Sequence, residues 1–182
     1  DVRQCYVEVV EPYSMESTGA GTIAEFNVSM VVPAAFWEDV YDTQSSISAA
    51  PTARSGSFVV TDFDGATAPM ADLVFEITPV SGNITSLTVK DRGSGNYITY
   101  KGVAQTSIVI DARNATVASG SGTDLMRDIP AVGSSTLLSR SPYFRTEGEV
   151  IANHPNGAPV LEWSCNTAIA IKITGRRKYL IG

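Results

Sequence analysis

Five aspartates sit where alternating apolar runs end: Asp62, Asp64, Asp72, Asp91 and Asp111. Two carboxylates facing each other across a glycosidic bond could hydrolyse it, one as acid and one as base or nucleophile. The chain has 19 acidic residues, so a pair of carboxylates is always available, but no motif places two of them in one cleft. Short acidic side chains at strand ends also bond to local backbone N–H groups and shape turns. The stretch "NYITYKGVAQTSIVIDARNATV", residues 96–117, poses the choice. Asp111 closes its second apolar run. It is either half of a catalytic pair or part of one hairpin of a purely structural sheet.

Other chemistry is sparsely provided. The GxSxG elbow of an α/β hydrolase is absent. The single histidine, His154 in "NHPNG", reads as a surface turn residue. Cys5 and Cys165 lie near opposite ends and read better as two buried thiols than as a terminal staple. No CxxC or Cys/His cluster supports structural zinc. "RGSG" lacks the strand–glycine–helix context of a phosphate loop and reads as a turn. "DFDGA" lacks the spacing of an EF-hand calcium loop. Sugar stacking would draw on Trp37, Tyr97, Tyr100 and Trp163, rings that otherwise belong to core or interface. Three sequons begin at Asn27, Asn83 and Asn114, and they matter only in a eukaryotic secretory context. No cofactor is expected.

These side chains sit on a chain of 182 residues with 43% apolar and 18% charged residues, a balance that favours a packed core over disorder. The net charge of −6 argues against a nucleic-acid-binding face. The dense basic run is Arg176, Arg177 and Lys178, read as a solvated strand end or as a salt-bridge partner for an acidic neighbouring subunit. No run of 18 apolar residues is present, so no helical membrane span is expected.

Period-two alternation dominates. "RQCYVEVVE", "TIAEFNVSMVV", "GSFVVTDF", "ADLVFEITP", "ITSLTVKD", "NYITY", "TSIVIDA", "VLEWSC" and "TAIAIKITG" read as strands, with "RNATVASG" as a short return strand and "TLLS" as a further one. "EPYSMESTGAG", residues 45–57 and "SPYFRTEGEVIANHPNGAP" read as loops or turn-rich segments. In "PAAFWEDVYDTQSS", Phe36, Trp37, Val40 and Tyr41 have helical spacing, predicting one or two helical turns or an irregular aromatic loop. Residues 124–129 predict a single helical turn. Ten to twelve short strands with few helices predict an all-β protein, an antiparallel β-sandwich or barrel.

Three stretches carry a resemblance: "AEFNVSMVVPAAFWEDV"; "ADLVFEITPVSGNITSLTVKDRGSGNYITYKGVAQTSIVIDARNATV"; and "AIAIKITGRRKYLIG". Together they resemble the distal tail proteins of long-tailed phages, most closely their C-terminal galectin-like β-sandwich. The family features fall on Phe36 and Trp37, on Ile98, Tyr100 and Gly102, on Ile110, Asp111 and Asn114, and on Arg176, Arg177 and Tyr179. The resemblance covers roughly residues 20–182, and its motifs are soft. Little of the family's ring-forming belt domain is present, and "HPNGAP" only approximates the usual turn before the last strands.

The resemblance implies an all-β, galectin-like or jelly-roll-like sandwich with short helical turns over residues 21–182. Residues 1–20 would then be an N-terminal strand and linker, the end of a belt domain. It implies that strand 107–111 pairs with 96–100, that Asp111 and Asn114 shape a turn, and that the chain is not an enzyme. The implied role is structural: a hexameric distal tail or baseplate hub joining the tail tube and tail hub to receptor-binding proteins. It would be made in the bacterial host cytoplasm and carried in the virion, without nucleic-acid binding or membrane insertion. A carbohydrate- or cell-wall-binding module, meeting a host surface glycan, is the alternative. Aromatics and arginines commonly anchor interfaces, which makes Phe36, Trp37, Tyr41, Tyr143, Phe144, Arg176 and Arg177 the candidate interface residues.

Overall fold

The computed structural model describes residues 3–5, 36–129 and 146–180 in full. It also describes the backbone of six short strands: Glu8–Val9 paired with Met30–Val31, Ser14–Ser17 with Ala24–Asn27, and Leu137–Leu138 with Ser141–Pro142. Tyr143 and Phe144 lie outside the described residues.

Thirteen further strands build the body. They are β1 (Arg3–Gln4), β2 (Phe36–Asp39), β3 (Thr43–Ser48), β4 (Ser55–Val59), β5 (Val74–Pro79), β6 (Ile84–Asp91) and β7 (Tyr97–Gln105). Then come β8 (Ile108–Asp111), β9 (Thr116–Ser119), β10 (Gly148–Ile151), β11 (His154–Cys165), β12 (Ile169–Gly175) and β13 (Lys178–Leu180).

Two five-stranded antiparallel sheets form a sandwich. The first runs β7–β6–β11–β10, with β4 also paired to the long β11. The second runs β9–β8–β5–β12–β3. Side chains alternate across each strand, so every second residue enters the core. Leu87, Val89, Ile98, Tyr100, Leu161 and Trp163 enter from the first sheet. Phe75, Ile77, Ile108, Ile110, Ile171 and Ile173 enter from the second, and all twelve belong to one continuous cluster. Phe58 stacks on Trp163 with ring centroids 5.6 Å apart and planes at 15°. The 3₁₀ turn Thr61–Phe63 seats Phe63 in the same core. The predicted all-β sandwich is the observed fold.

Several local expectations give way. Residues 96–111 are not a hairpin: β7 pairs with β6, whereas β8 pairs with β5 and β9. β7 runs on through Gln105, past the turn expected at Lys101–Gly102. The chain then crosses to the other sheet, so Ile98 and Ile110 face each other's layers across the core rather than sharing one. Residues 45–57, expected as loop, contain most of β3 and the first residues of β4, the strand expected from "GSFVVTDF". Their small polar residues carry little β signal, but the edges of β12 and β11 supply partners. The segment 148–159, expected as turn-rich, forms β10 and the first half of β11, which runs on into the expected strand "VLEWSC", and "HPNG" lies within β11. Ser14–Ser17, inside the expected N-terminal loop, is a strand. Phe36–Asp39 is a strand rather than a helical turn. The 3₁₀ turn Met126–Asp128 falls inside the one predicted at 124–129.

A third, small sheet runs β1–β2–β13. β2 is its centre, with Arg3 opposite Asp39 and Gln4 opposite Glu38 on one edge. Lys178, Tyr179 and Leu180 lie opposite Glu38, Trp37 and Phe36 on the other.

Candidate interface at the small terminal sheet

The aspartates are spread over separate turns. Asp111 accepts hydrogen bonds from the Asn114 backbone N–H at 3.0 Å and from Asn114 Nδ2 at 2.8 Å, closing the turn into β9. Asp91 is fully buried and accepts from the backbone N–H groups of Ser94, 2.7 Å, and Glu147, 3.1 Å. Burial pushes its carboxyl above the ordinary value against these bonds. Asp91 thus ties the β6–β7 turn to the segment before β10. Gly93 makes that tie possible: a Cβ there would meet the Glu147 carbonyl oxygen at 2.7 Å. Asp64 lies 3.1 Å from His154 Nδ1, and Asp72 lies 3.0 Å from Lys178 Nζ. Asp62 is exposed on the 3₁₀ turn. His154 therefore opens a strand and is half-buried, not a free turn residue. Among the described residues, no group of three or more His, Cys, Asp or Glu side chains could hold a metal ion. Cys165 is a buried thiol and Cys5 a half-buried one, both free. Burial pushes the Cys165 thiol up.

Of the rings considered for stacking, Tyr100 and Trp163 are buried in the core and Tyr97 is half-buried. An open groove of about 410 Å³ crosses the second sheet, lined by Ser46, Ile47, Ser48, Glu76, Thr78, Ala170, Ile171 and Lys172. It contains hydroxyls and one charge of each sign but no aromatic ring.

The five described candidate interface residues lie at or beside the terminal sheet. Phe36 and Trp37 open β2, Tyr41 lies just beyond it, and Arg176 and Arg177 form the link from β12 to β13. Phe36 is half-buried, whereas Trp37 is 36% exposed, Tyr41 81% and Leu180 57%. Both arginines are engaged within the chain. Arg176 reaches Glu38 at 2.7 Å and Asp42 at 3.0 Å. Arg177 reaches Asp39 at 2.7 Å, and Asp39 also accepts the Tyr179 hydroxyl at 2.9 Å. Lys178 lies between Asp72 at 3.0 Å and Glu38 at 3.6 Å. The Arg3 guanidinium stands 3.9 Å over the Tyr179 ring, a cation–π contact.

These contacts set the local electrostatics. Burial disfavours the charged form of Glu38, but bonds from Gln4 and Arg176 and the Lys178 charge hold its carboxyl below the ordinary value. The Arg177 guanidinium is raised by its bond to Asp39. Burial, then the bond to Asp39, raise the Tyr179 phenol. Of the acidic half of the cluster, Asp72 was considered only as a strand-end carboxylate, and Glu38, Asp39 and Asp42 had no place among the expected site residues. Their signal was present in "WEDVYD" as a run opposite in sign to "GRRK".

The same fold is found in a known protein. Over 96% of this chain, the fold superposes on SPP1 Dit (gp 19.1) with a TM-score of 0.56 at 11% sequence identity. This chain has a Dit-like fold. That structure is described as a paradigm of the hub adsorption apparatus in phages infecting Gram-positive bacteria. The chain spans 60% of the length of SPP1 Dit. No protein-family model matches the sequence, and no curated protein matches it. No helix among the described residues is long and apolar enough to cross a membrane.

Proposed function

We infer that this chain is the galectin-like sandwich of a phage distal tail or baseplate hub protein, a structural component without catalytic activity. The observation that carries the inference is the likeness of nearly the whole chain to the fold of SPP1 Dit. In this reading the full-length protein forms a homohexameric ring in the virion. It joins the tail tube and tail hub to receptor-binding proteins, after synthesis in the bacterial host cytoplasm. The work is geometric: copies arranged by symmetry present equivalent surfaces to their neighbours. The ion-paired terminal sheet, with Trp37, Tyr41 and Leu180 exposed beside it, offers such a surface. Aromatic residues with locally neutralised charges suit an interface core.

The test is the solution mass of the full-length gene product by light scattering, with negative-stain images of the same peak. A six-fold ring is expected; a monomeric full-length product would overturn the hub reading.

A second reading rests on the groove of the second sheet, where Ser46, Ser48 and Thr78 offer hydroxyls that could hydrogen-bond a sugar of the host surface. Retention on a glycan array that Glu76→Ala abolishes would support it. The absence of a stacking ring from this groove makes it the weaker reading.

A further inference from the structure

We propose that the terminal sheet β1–β2–β13 is an electrostatic latch that opens as a unit while the sandwich stays folded. Its three strands have two, four and three residues. None of its side chains belongs to the continuous core; Tyr179 is its buried ring, whereas Trp37 and Leu180 are partly exposed. Segments with few buried apolar contacts open at lower free energy than the core strands. Little apolar burial fastens this sheet, so charge must do much of that work.

The fastening is distributed across all three strands. The link into β13 is held to β2 by Arg177–Asp39 and Arg176–Glu38. β1 is held to β2 by Gln4 Nε2 donating to Glu38 Oε1 at 2.9 Å, and to β13 by Arg3 over Tyr179. The latch meets the sandwich through Lys178–Asp72 and through the Lys178 carbonyl, which accepts the Thr67 and Ala68 N–H groups. The ion pairs are partly solvent-exposed, with side chains between 14% and 41% accessible at the two arginines and their carboxylates. Mobile ions reach such pairs and screen them. Opening would free both edges of β2 and uncover the buried Tyr179 ring. The proposal stands whether or not the chain is a tail protein.

Amide hydrogen exchange resolved by NMR tests it. Two reporters are the Asp39 N–H, donated to the Arg177 carbonyl, and the Leu180 N–H, donated to Thr67 Oγ1. The core reference is the Ala112 N–H, donated to the Leu73 carbonyl. Salt is raised from about 0.01 M to about 1 M, which shortens the screening length from about 30 Å to about 3 Å. The latch reporters should exchange about tenfold faster at high salt, with Ala112 unchanged. Arg177→Gln should raise their low-salt rate and shrink the salt response. Salt-independent exchange at Asp39 and Leu180 would overturn the proposal. So would equal acceleration at Ala112, which would make latch and sandwich one cooperative unit. An undiminished salt response in Arg177→Gln would also count against it.

Discussion

Arg177 Nε lies 2.7 Å from Asp39 Oδ2, across 138 residues of chain. The bond joins the segment entering the last described strand to the strand that precedes the sandwich. The Tyr179 hydroxyl, on Asp39 Oδ1, completes the carboxylate's set of partners. Asp39→Ala would leave the guanidinium and the phenol without this acceptor. The expected cost is about 1–2 kcal/mol, kept modest by solvent screening at a partly exposed site. Urea unfolding of the variant and parent measures it. A midpoint equal to the parent's would show that the cluster adds nothing to stability.

Asp91 sets one pH dependence. Its folded-state carboxyl lies above the ordinary value, so the native state holds this proton more tightly than the unfolded chain does. Stability from this group is therefore fully present below the ordinary carboxylate value and is lost as pH rises through the raised one. Asp91→Asn retains an acceptor for Ser94 and Glu147 but removes the titration. The stability difference, Asn variant minus parent, should increase with pH across that window. Urea titrations at a series of pH values check the slope; a difference independent of pH refutes the assignment.

Glu38 works in the opposite direction. Its carboxyl is held below the ordinary value in the folded state, so its contribution is present above that value and lost as pH falls through the lowered one. Glu38→Gln should flatten the acid limb of the stability profile and leave the neutral limb parallel to the parent. Unchanged acid sensitivity in the variant would place the effect on other carboxylates.

Phe75 lies at 0% exposure in the middle of the second sheet, between Ile110 of β8 and Ile173 of β12. Truncation to alanine should cost about 3–5 kcal/mol, the transfer free energy of the ring together with the cavity it leaves. Thermal unfolding followed by circular dichroism reads this directly. A loss below about 1 kcal/mol would mean that the site collapses or is not core.

Trp37 is the contrasting case. It is partly exposed on the small sheet and outside the continuous core, so Trp37→Ala should leave the sandwich cooperatively folded. If the sheet contributes to assembly, the same change should weaken oligomers of the full-length product in light scattering. Loss of cooperative unfolding would instead identify Trp37 as a structural residue.

Local chemistry was legible wherever it acted over a few residues. Alternation in "FEI", "LTVKD" and "IAIKI" identified strands because a half-buried sheet needs period two, and the same residues fill the observed core. Asp111 and Asn114 are three residues apart, and their turn follows from short-range hydrogen bonding. Pairing was not legible. β7 and β8 are adjacent in sequence and belong to opposite sheets, a choice made by strands elsewhere in the chain. "TQSSIS" is mostly small and polar, with only Thr43 and Ile47 favouring a strand, and it becomes one because β12 presents an edge to it. Phe36, Trp37, Val40 and Tyr41 are spaced equally well for a helix, but β13 captures this segment as a strand. The same long-range closure brings "WEDVYD" against "GRRK". The sequence by itself determined the all-β class, the core-facing residues and the turn that Asp111 and Asn114 close. Only the tertiary structure decided which strands meet and which charges neutralise one another, because those contacts join residues distant in the chain, 57 apart at Arg92–Glu149 and 138 apart at Arg177–Asp39.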